Sequence, residues 1–296
     1  MAKKSGFIAI LGKPNAGKST LMNALLGTNL SIVTPKPQTT RKEVIGILTE
    51  KDYQIIFLDT PGIIKPKYKL QEAMMETIPQ AMQSADVLLV LLEVDSVKKQ
   101  HPLHSETLAL LQNTKLPKIA ILSKIDTCKS TVEIIPLLEK IQKMDLFDEI
   151  IPLSAKEKVN LEPVVSSILN YLPEHEFYYD EESLSTQNNK FFVSEIIREQ
   201  VFLLTEEEIP FSTEVQISEF YERERGKWFI GAEIIVEKKT QKQIIIGKSG
   251  SLIKQIGLQA RFKIEELLEH EVYLELFVKV RQDWRNNPSQ LKAFGY

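Results

Sequence analysis

Cysteine is nearly missing: Cys128 is the one thiol in 296 residues. That excludes a disulfide framework and any cysteine-rich metal site, and four histidines leave little material for a zinc centre. Long apolar runs are missing too. The longest, 87–92, stops far short of the roughly 20 residues that cross a bilayer. The opening Met1-Ala2-Lys3-Lys4-Ser5 leads into a strand-like stretch at 7–11, then into glycine and a charge. No signal-peptide core is expected there. A charge excess of either sign is also missing: 37 basic against 40 acidic side chains, net −3. Any nucleic acid would therefore have to meet a local basic surface. With 43% hydrophobic and 26% charged residues, collagen, a coiled coil and a disordered chain are excluded, and each half can bury a core.

At roughly 100–200 residues per domain the length predicts two domains. In the first half, apolar runs at 7–11, 54–58, 87–95, 118–123 and 149–154 alternate with helical spacing at 19–26, 70–83, 105–111, 134–143 and 161–171. Continuous short apolar runs read as strands covered on both faces, hence a mostly parallel sheet in an α/β fold. The stretch 173–189 carries five acids, no Lys or Arg and no clear period, and reads as a linker. The second half has another rhythm: a helix over 191–204, strands over 213–222 and 228–237, a turn at 238–242, and an apolar run at 243–246 ending in Gly247-Lys248-Ser249-Gly250. A helix over 251–268 and a strand over 272–281 follow, giving a small α+β module.

Gly12-Lys13-Pro14-Asn15-Ala16-Gly17-Lys18-Ser19 fits G-x-x-x-x-G-K-S/T between an apolar run and a helical pattern, the context that supports a phosphate loop. Its backbone N–H groups would wrap phosphate, Lys18 would neutralise β/γ-phosphate oxygens and Ser19 would ligate Mg²⁺. Asp59-Thr60-Pro61-Gly62 follows the next run. Asp59 would hold Mg²⁺ through water, and the Gly62 N–H would approach the γ-phosphate. Ser123-Lys124-Ile125-Asp126 ends a further strand, and Asp126 would accept two hydrogens from a guanine edge that adenine lacks. Ser154-Ala155-Lys156 would offer a backbone N–H to the base oxygen. Each short match is weak alone. Their order, each at a strand's carboxyl end, is strong, because ligands bind there in open α/β sheets.

On these motifs the chain resembles the translation-factor-related GTPases of the Era family. Residues 12–27 are similar to that family's phosphate loop, 31–46 with Pro37-Gln38-Thr39-Thr40-Arg41 to its first switch, the second half to its KH domain, and Trp284, Leu291 and Gly295-Tyr296 to its ending. The resemblance implies a GTPase that binds the 3′ end of small-subunit ribosomal RNA and assists assembly of the small ribosomal subunit. It implies GTP or GDP held by Gly12 through Thr20, Mg²⁺ held by Ser19, Thr40 and Asp59, and Lys18, Thr40 and Gly62 as the catalytic groups. Of the adjacent hydroxyls, it favours Thr40 over Thr39 as the switch ligand of Mg²⁺. Related GTPases place an asparagine at Asn15 to hold K⁺; the other reading is an asparagine that simply caps the loop. Ile63 stands where Ras-like enzymes carry a water-positioning glutamine, so slow intrinsic hydrolysis is expected. One departure stands out. The family's Asn-Lys-x-Asp is Ser-Lys-Ile-Asp here, so the amide that touches the base and braces the phosphate loop is expected to be missing at Ser123.

Gly247-Lys248-Ser249-Gly250 fits the GXXG loop of a KH domain, which clamps about four nucleotides by their backbone. Lys254, Arg261 and Lys263 on the next helix, with Lys238, Lys239 and Lys242 before the loop, make a local basic set. The expected fold is an α/β P-loop GTPase domain with a mostly parallel sheet over 1–172, a linker over 173–187 and an α+β type II KH domain over 188–296. The expected protein is a cytoplasmic monomer, with peripheral contact at the inner face of the cell membrane left open. A different class remains: a mainly structural RNA-binding protein whose nucleotide site senses but barely hydrolyses. An ATP-dependent kinase is disfavoured by Asp126. Other residues read as structural: Met74, Met75 and Met82 as core fillers, Cys128 as unreactive, His101 and His104 as loop residues, and Glu206-Glu207-Glu208 as a solvated helix end.

Overall fold

The computed structural model describes residues 3–100 and 102–296, and the chain divides into two compact units. The first holds the described residues up to Ser31, Thr40–Pro66 and Gln71–Thr186. Its elements in chain order are β1 (Lys4–Gly12), α1 (Lys18–Leu26), β2 (Val44–Glu50), β3 (Tyr53–Asp59), α2 (Lys69–Ser84), β4 (Val87–Glu93), α3 (Val94–Lys98), α4 (Ser105–Gln112), β5 (Lys118–Ser123), α5 (Ile135–Gln142), β6 (Glu149–Leu153) and α6 (Leu161–Tyr171). The strands form one sheet in the order β2-β3-β1-β4-β5-β6. Every pairing is parallel except β2 with β3.

The apolar runs are strands because helices cover both faces. Val87, Leu88, Leu89, Val90 and Leu92 in β4 are fully buried irrespective of parity. β4 stops at Glu93, and Val94 already belongs to α3, so the run read over 87–95 ends in a helical turn. β2 had no counterpart in the sequence reading. Its Val44-Ile45-Gly46-Ile47-Leu48 is an apolar run broken only by Gly46, and its first residues fall inside the switch segment 31–46. The acidic segment expected as a linker is bonded along this unit: His175 N donates to Lys3 O, Ile47 N to Leu184 O, and Gln54 Oε1 accepts from Tyr178 N and Tyr179 N.

The second unit holds Ile32–Thr39, Lys67–Leu70 and Gln187–Tyr296. Its further elements are α7 (Asn189–Leu204), β7 (Glu214–Tyr221), β8 (Trp228–Val236), α8 (Lys239–Ile246), α9 (Ser251–Leu268), β9 (Val272–Val280) and α10 (Pro288–Ala293). β7 runs antiparallel to β8, and β8 parallel to β9. Ile230, Ala232, Ile234 and Val236 bury one face of β8 against Val193, Ile197 and Val201 of α7 and Ile256, Ala260 and Ile264 of α9. The turn expected at 238–242 is instead the start of α8. Gln241 Oε1 accepts from the backbone N–H groups of Glu237 and Lys238, which caps the helix. Trp284 is fully buried, its Nε1 donating to Ser212 O, and the Tyr296 hydroxyl meets Glu214 Oε2 at 2.6 Å. Among the described residues, no helix is long and apolar enough to cross a membrane.

Candidate functional site

The loop between β1 and α1 turns through Asn15 at φ 62 and Gly17 at φ 96. Asparagine tolerates this left-handed backbone better than most residues, a conformation compatible with both readings of Asn15. α1 begins at Lys18, so its unpaired N–H groups open into the loop and favour an anion. The buried Lys18 ammonium donates to Lys13 O at 3.2 Å and Gly12 O at 3.4 Å. Burial lowers its pKa to about 8, against the pull of Asp59.

Four residues distant in sequence meet at the foot of the loop. Ser19 Oγ donates to Asp59 Oδ2 at 2.7 Å and lies 2.8 Å from Thr40 Oγ1. Ser31 Oγ donates to the same Asp59 oxygen at 3.1 Å. Asp59 is fully buried, and burial pushes its carboxyl above the usual range in spite of Lys18 and the two serines. Its Oδ1 is buried without a partner. Three converging oxygens and an orphaned carboxylate oxygen form a hard donor set of the kind Mg²⁺ takes. Thr39 turns elsewhere: its hydroxyl donates to Lys36 O at 2.7 Å and meets Thr34 Oγ1 at 2.6 Å. The structure thus brings Thr40, and not Thr39, to Ser19. Ser31 was missed in the sequence. Its signal is Asn23, a buried polar residue inside α1 whose amide holds Ser31 O at 2.7 Å and Ser31 N at 2.9 Å.

Thr60 Oγ1 donates to Ile10 O at 2.7 Å, and Ile63 N to Gly12 O at 3.1 Å. A Cβ on Gly62 would lie 2.6 Å from Pro14 N and Cα, so only glycine lets this segment reach the phosphate loop. Ile63 is buried in the apolar core and offers no polar group.

At the base-recognition end, Ser154 Oγ donates to Asp126 Oδ1 at 2.6 Å and fixes that carboxylate. Lys124, at φ 62, pairs with Glu93 at 2.6 Å. Lys156 is exposed beside Glu157, and Ala155 is half-buried. One expectation is corrected here. Ser123 is buried, and its Oγ donates to Ala16 O at 2.8 Å. The phosphate loop is therefore braced without an asparagine, because the strand end runs close enough for a short side chain to reach.

In the second unit, Gly247 and Gly250 sit at φ 72 and φ 78. A Cβ on Gly247 would meet Leu252 N at 2.9 Å, whereas nothing lies within 4 Å of one on Gly250. Lys248 and Ser249 span the two. Beside this loop, a groove of about 390 Å³ between α9 and β9 is lined by Lys254, Arg261, Ile253, Leu258, Leu274 and Leu276. Arg261 Nε is buried without a partner. Glu275 also lines the groove; the apolar floor flanked by Lys254 and Arg261 suits a single nucleic-acid strand, with Glu275 as the one opposing charge. Lys263 pairs instead with Glu199 at 2.6 Å, so it leaves the expected basic set. Lys238, Lys239 and Lys242 belong to the start of α8.

Met74 and Met82 are buried, and Met75 packs against the same core. Burial raises the Cys128 pKa, which disfavours the thiolate. Glu206, Glu207, Glu208 and His104 are exposed, while His101 lies outside the described residues.

Residues 7–124 match the 50S ribosome-binding GTPase family, and 208–285 match the KH domain family. GTPase Era of Lactobacillus delbrueckii subsp. bulgaricus is 40% identical over 99% of this chain and 96% of its own. GTPase Era of Clostridium botulinum is 41% identical over 99% of this chain and 98% of its own. A crystal structure of Era in complex with MgGDPNP and nucleotides 1506–1542 of 16S ribosomal RNA superposes with a TM-score of 0.94, at 40% identity and 99% coverage of both chains. A variant of Aquifex aeolicus Era bound to GDP·AlF4⁻ superposes with a TM-score of 0.93, also at 40% identity and 99% coverage of both.

Proposed function

The chain belongs to the Era family of GTPases, and from that premise we propose how its own residues divide the work. It is a GTPase that uses GTP, GDP and Mg²⁺. Lys18 neutralises the β- and γ-phosphates. Gly62 brings its N–H to the γ-phosphate, and Asp126, held by Ser154, reads guanine. Ser19 and Thr40 hold Mg²⁺ with Asp59 behind them. The ion, when bound, neutralises charge on the transferred phosphoryl group. The observation that carries the reading is the convergence of Ser19, Thr40 and Asp59 at the foot of the loop, with an unpaired carboxylate oxygen among them.

The GXXG loop and the groove beside it, with Lys254 and Arg261, take the RNA strand. By kinship with the complex containing a 16S fragment, the target is the 3′ end of small-subunit ribosomal RNA, and the role is assembly of the small subunit. The same reading makes the protein a cytoplasmic monomer, with peripheral membrane contact as a secondary property. Single-turnover hydrolysis with and without a 3′-end RNA oligonucleotide, with ATP as competitor, tests the whole. Guanine-selective hydrolysis that the oligonucleotide accelerates is the expected result. Ile63, which cannot orient water, favours a second reading, an RNA-binding protein that senses nucleotide. Binding of both ligands without measurable turnover would select it.

A further inference from the structure

Residues 32–39 precede Thr40 in sequence, yet they belong to the second unit. α7 presents Glu195, Arg198, Glu199 and Phe202 along one face, at the i, i+3, i+4, i+7 spacing. The three charged members are nearly or fully buried. Burying charge inside a helix is costly unless every member is paired: Glu195 pairs with Arg198 and Glu199 with Lys263 of α9, and the 32–39 segment adds contacts of its own. Arg198 Nη2 donates to Thr39 O at 2.6 Å, while Glu195 holds the guanidinium in a two-point pair. Glu199 accepts from Val33 N at 3.4 Å. Lys36 Nζ donates to Phe202 O and Thr205 O, the negative end of the α7 dipole. The segment is thereby fastened at its beginning, middle and end, and the last fastened atom is one peptide bond from Thr40.

We propose that Arg198 and Lys36 are positioning residues for Thr40: by fixing Thr39 and the loop before it to α7, they set how readily Thr40 completes the magnesium site with GTP. Neither touches nucleotide. The inference rests on the reading of Thr40 as a magnesium ligand, and takes that bond to be made with the triphosphate rather than with GDP.

The test compares Lys36→Met, Arg198→Met, Arg198→Lys and Thr40→Val in the full chain. A labelled non-hydrolysable GTP analogue and GDP are titrated across a range of magnesium concentrations. Loss of one charged hydrogen bond at the clip is expected to weaken analogue binding about ten-fold and to raise the magnesium needed for half-saturation. GDP affinity should move less than about two-fold, and Arg198→Lys should recover part of the loss. Lys36→Met added to Thr40→Val should cost nothing further, because both act through one ligand. Lys36 is half-exposed, so its variant carries the test if Arg198→Met fails to fold. Equal effects on GDP and the analogue, or none on either while Thr40→Val stays selective, would overturn the positioning role alone. No selective effect of Thr40→Val would remove the reading of Thr40, and the inference with it.

Discussion

At the scale of single residues, Lys18 has a calculable pH signature. A free lysine holds its proton to about 10.5, but in the fold Lys18 releases it near 8. Between those values the unfolded chain binds the extra proton, so the stability of the nucleotide-free protein rises with pH across that window. Phosphate reverses the bias, because an anion beside the ammonium favours the charged form. GDP binding should therefore take up a proton above about pH 8 and weaken there, with little pH dependence near neutrality. Calorimetry in buffers of different ionisation enthalpy measures the uptake directly, and Lys18→Arg should abolish it. Ser123 gives a second prediction. Its bond to Ala16 O already braces the loop, so Ser123→Asn adds only the contact to the base. One neutral hydrogen bond contributes about 0.5–1.5 kcal/mol. Crowding at a buried site draws the expected gain to the low end, about two- to four-fold for GTP and GDP alike. Discrimination against ATP should hold, because Asp126 carries it. Weaker GDP binding in a fluorescence titration would show that serine is the better fit at this strand end.

Elements differ in how far they could be read beforehand. The phosphate loop and the GXXG loop were legible because each is one contiguous segment whose glycines and lysine must sit at fixed spacing. β1, β4 and β5 were legible because burial on both faces leaves unbroken apolar runs. β2 was not, since Gly46 interrupts its apolar run and its first residues lie inside the segment that resembles the first switch. α8 was mistaken for a turn because its lysines hide a helix that Gln241 caps from within. Ser31 beside Asp59, and Ser123 beside Ala16, depend on residues 28 and 107 positions apart, which no local pattern encodes. The GXXG loop also yields a clean variant. Gly250 has open space where a Cβ would go, whereas Gly247 does not. Gly250→Asp should therefore fold, since aspartate tolerates positive φ. It should weaken RNA binding at least about ten-fold by setting a carboxylate against the phosphate chain, with GDP affinity unchanged. Electrophoretic mobility shift with a 3′-end oligonucleotide reads the first, and the same GDP titration the second. In the phosphate loop, Asn15→Ala separates the two readings of that residue. A cation ligand predicts that faster hydrolysis in K⁺ than in Na⁺ disappears, and a capping residue predicts no salt preference to lose.

For the molecule as a whole, the chain passes between its two units at 31/32, 39/40, 66/67, 70/71 and 186/187. A polypeptide whose modules were joined end to end would pass once. Modules of that simpler kind can be traded between proteins by a single splice. Here a splice at 186/187 would carry off α7 and leave behind the segment that Lys36 and Thr39 fasten to it. The graft would expose the buried Glu195–Arg198 pair to whatever foreign loop the new host supplied. Residues 32–39 and α7 are consequently heritable only together, and a chimaera of two relatives should work best when both pieces come from the same parent.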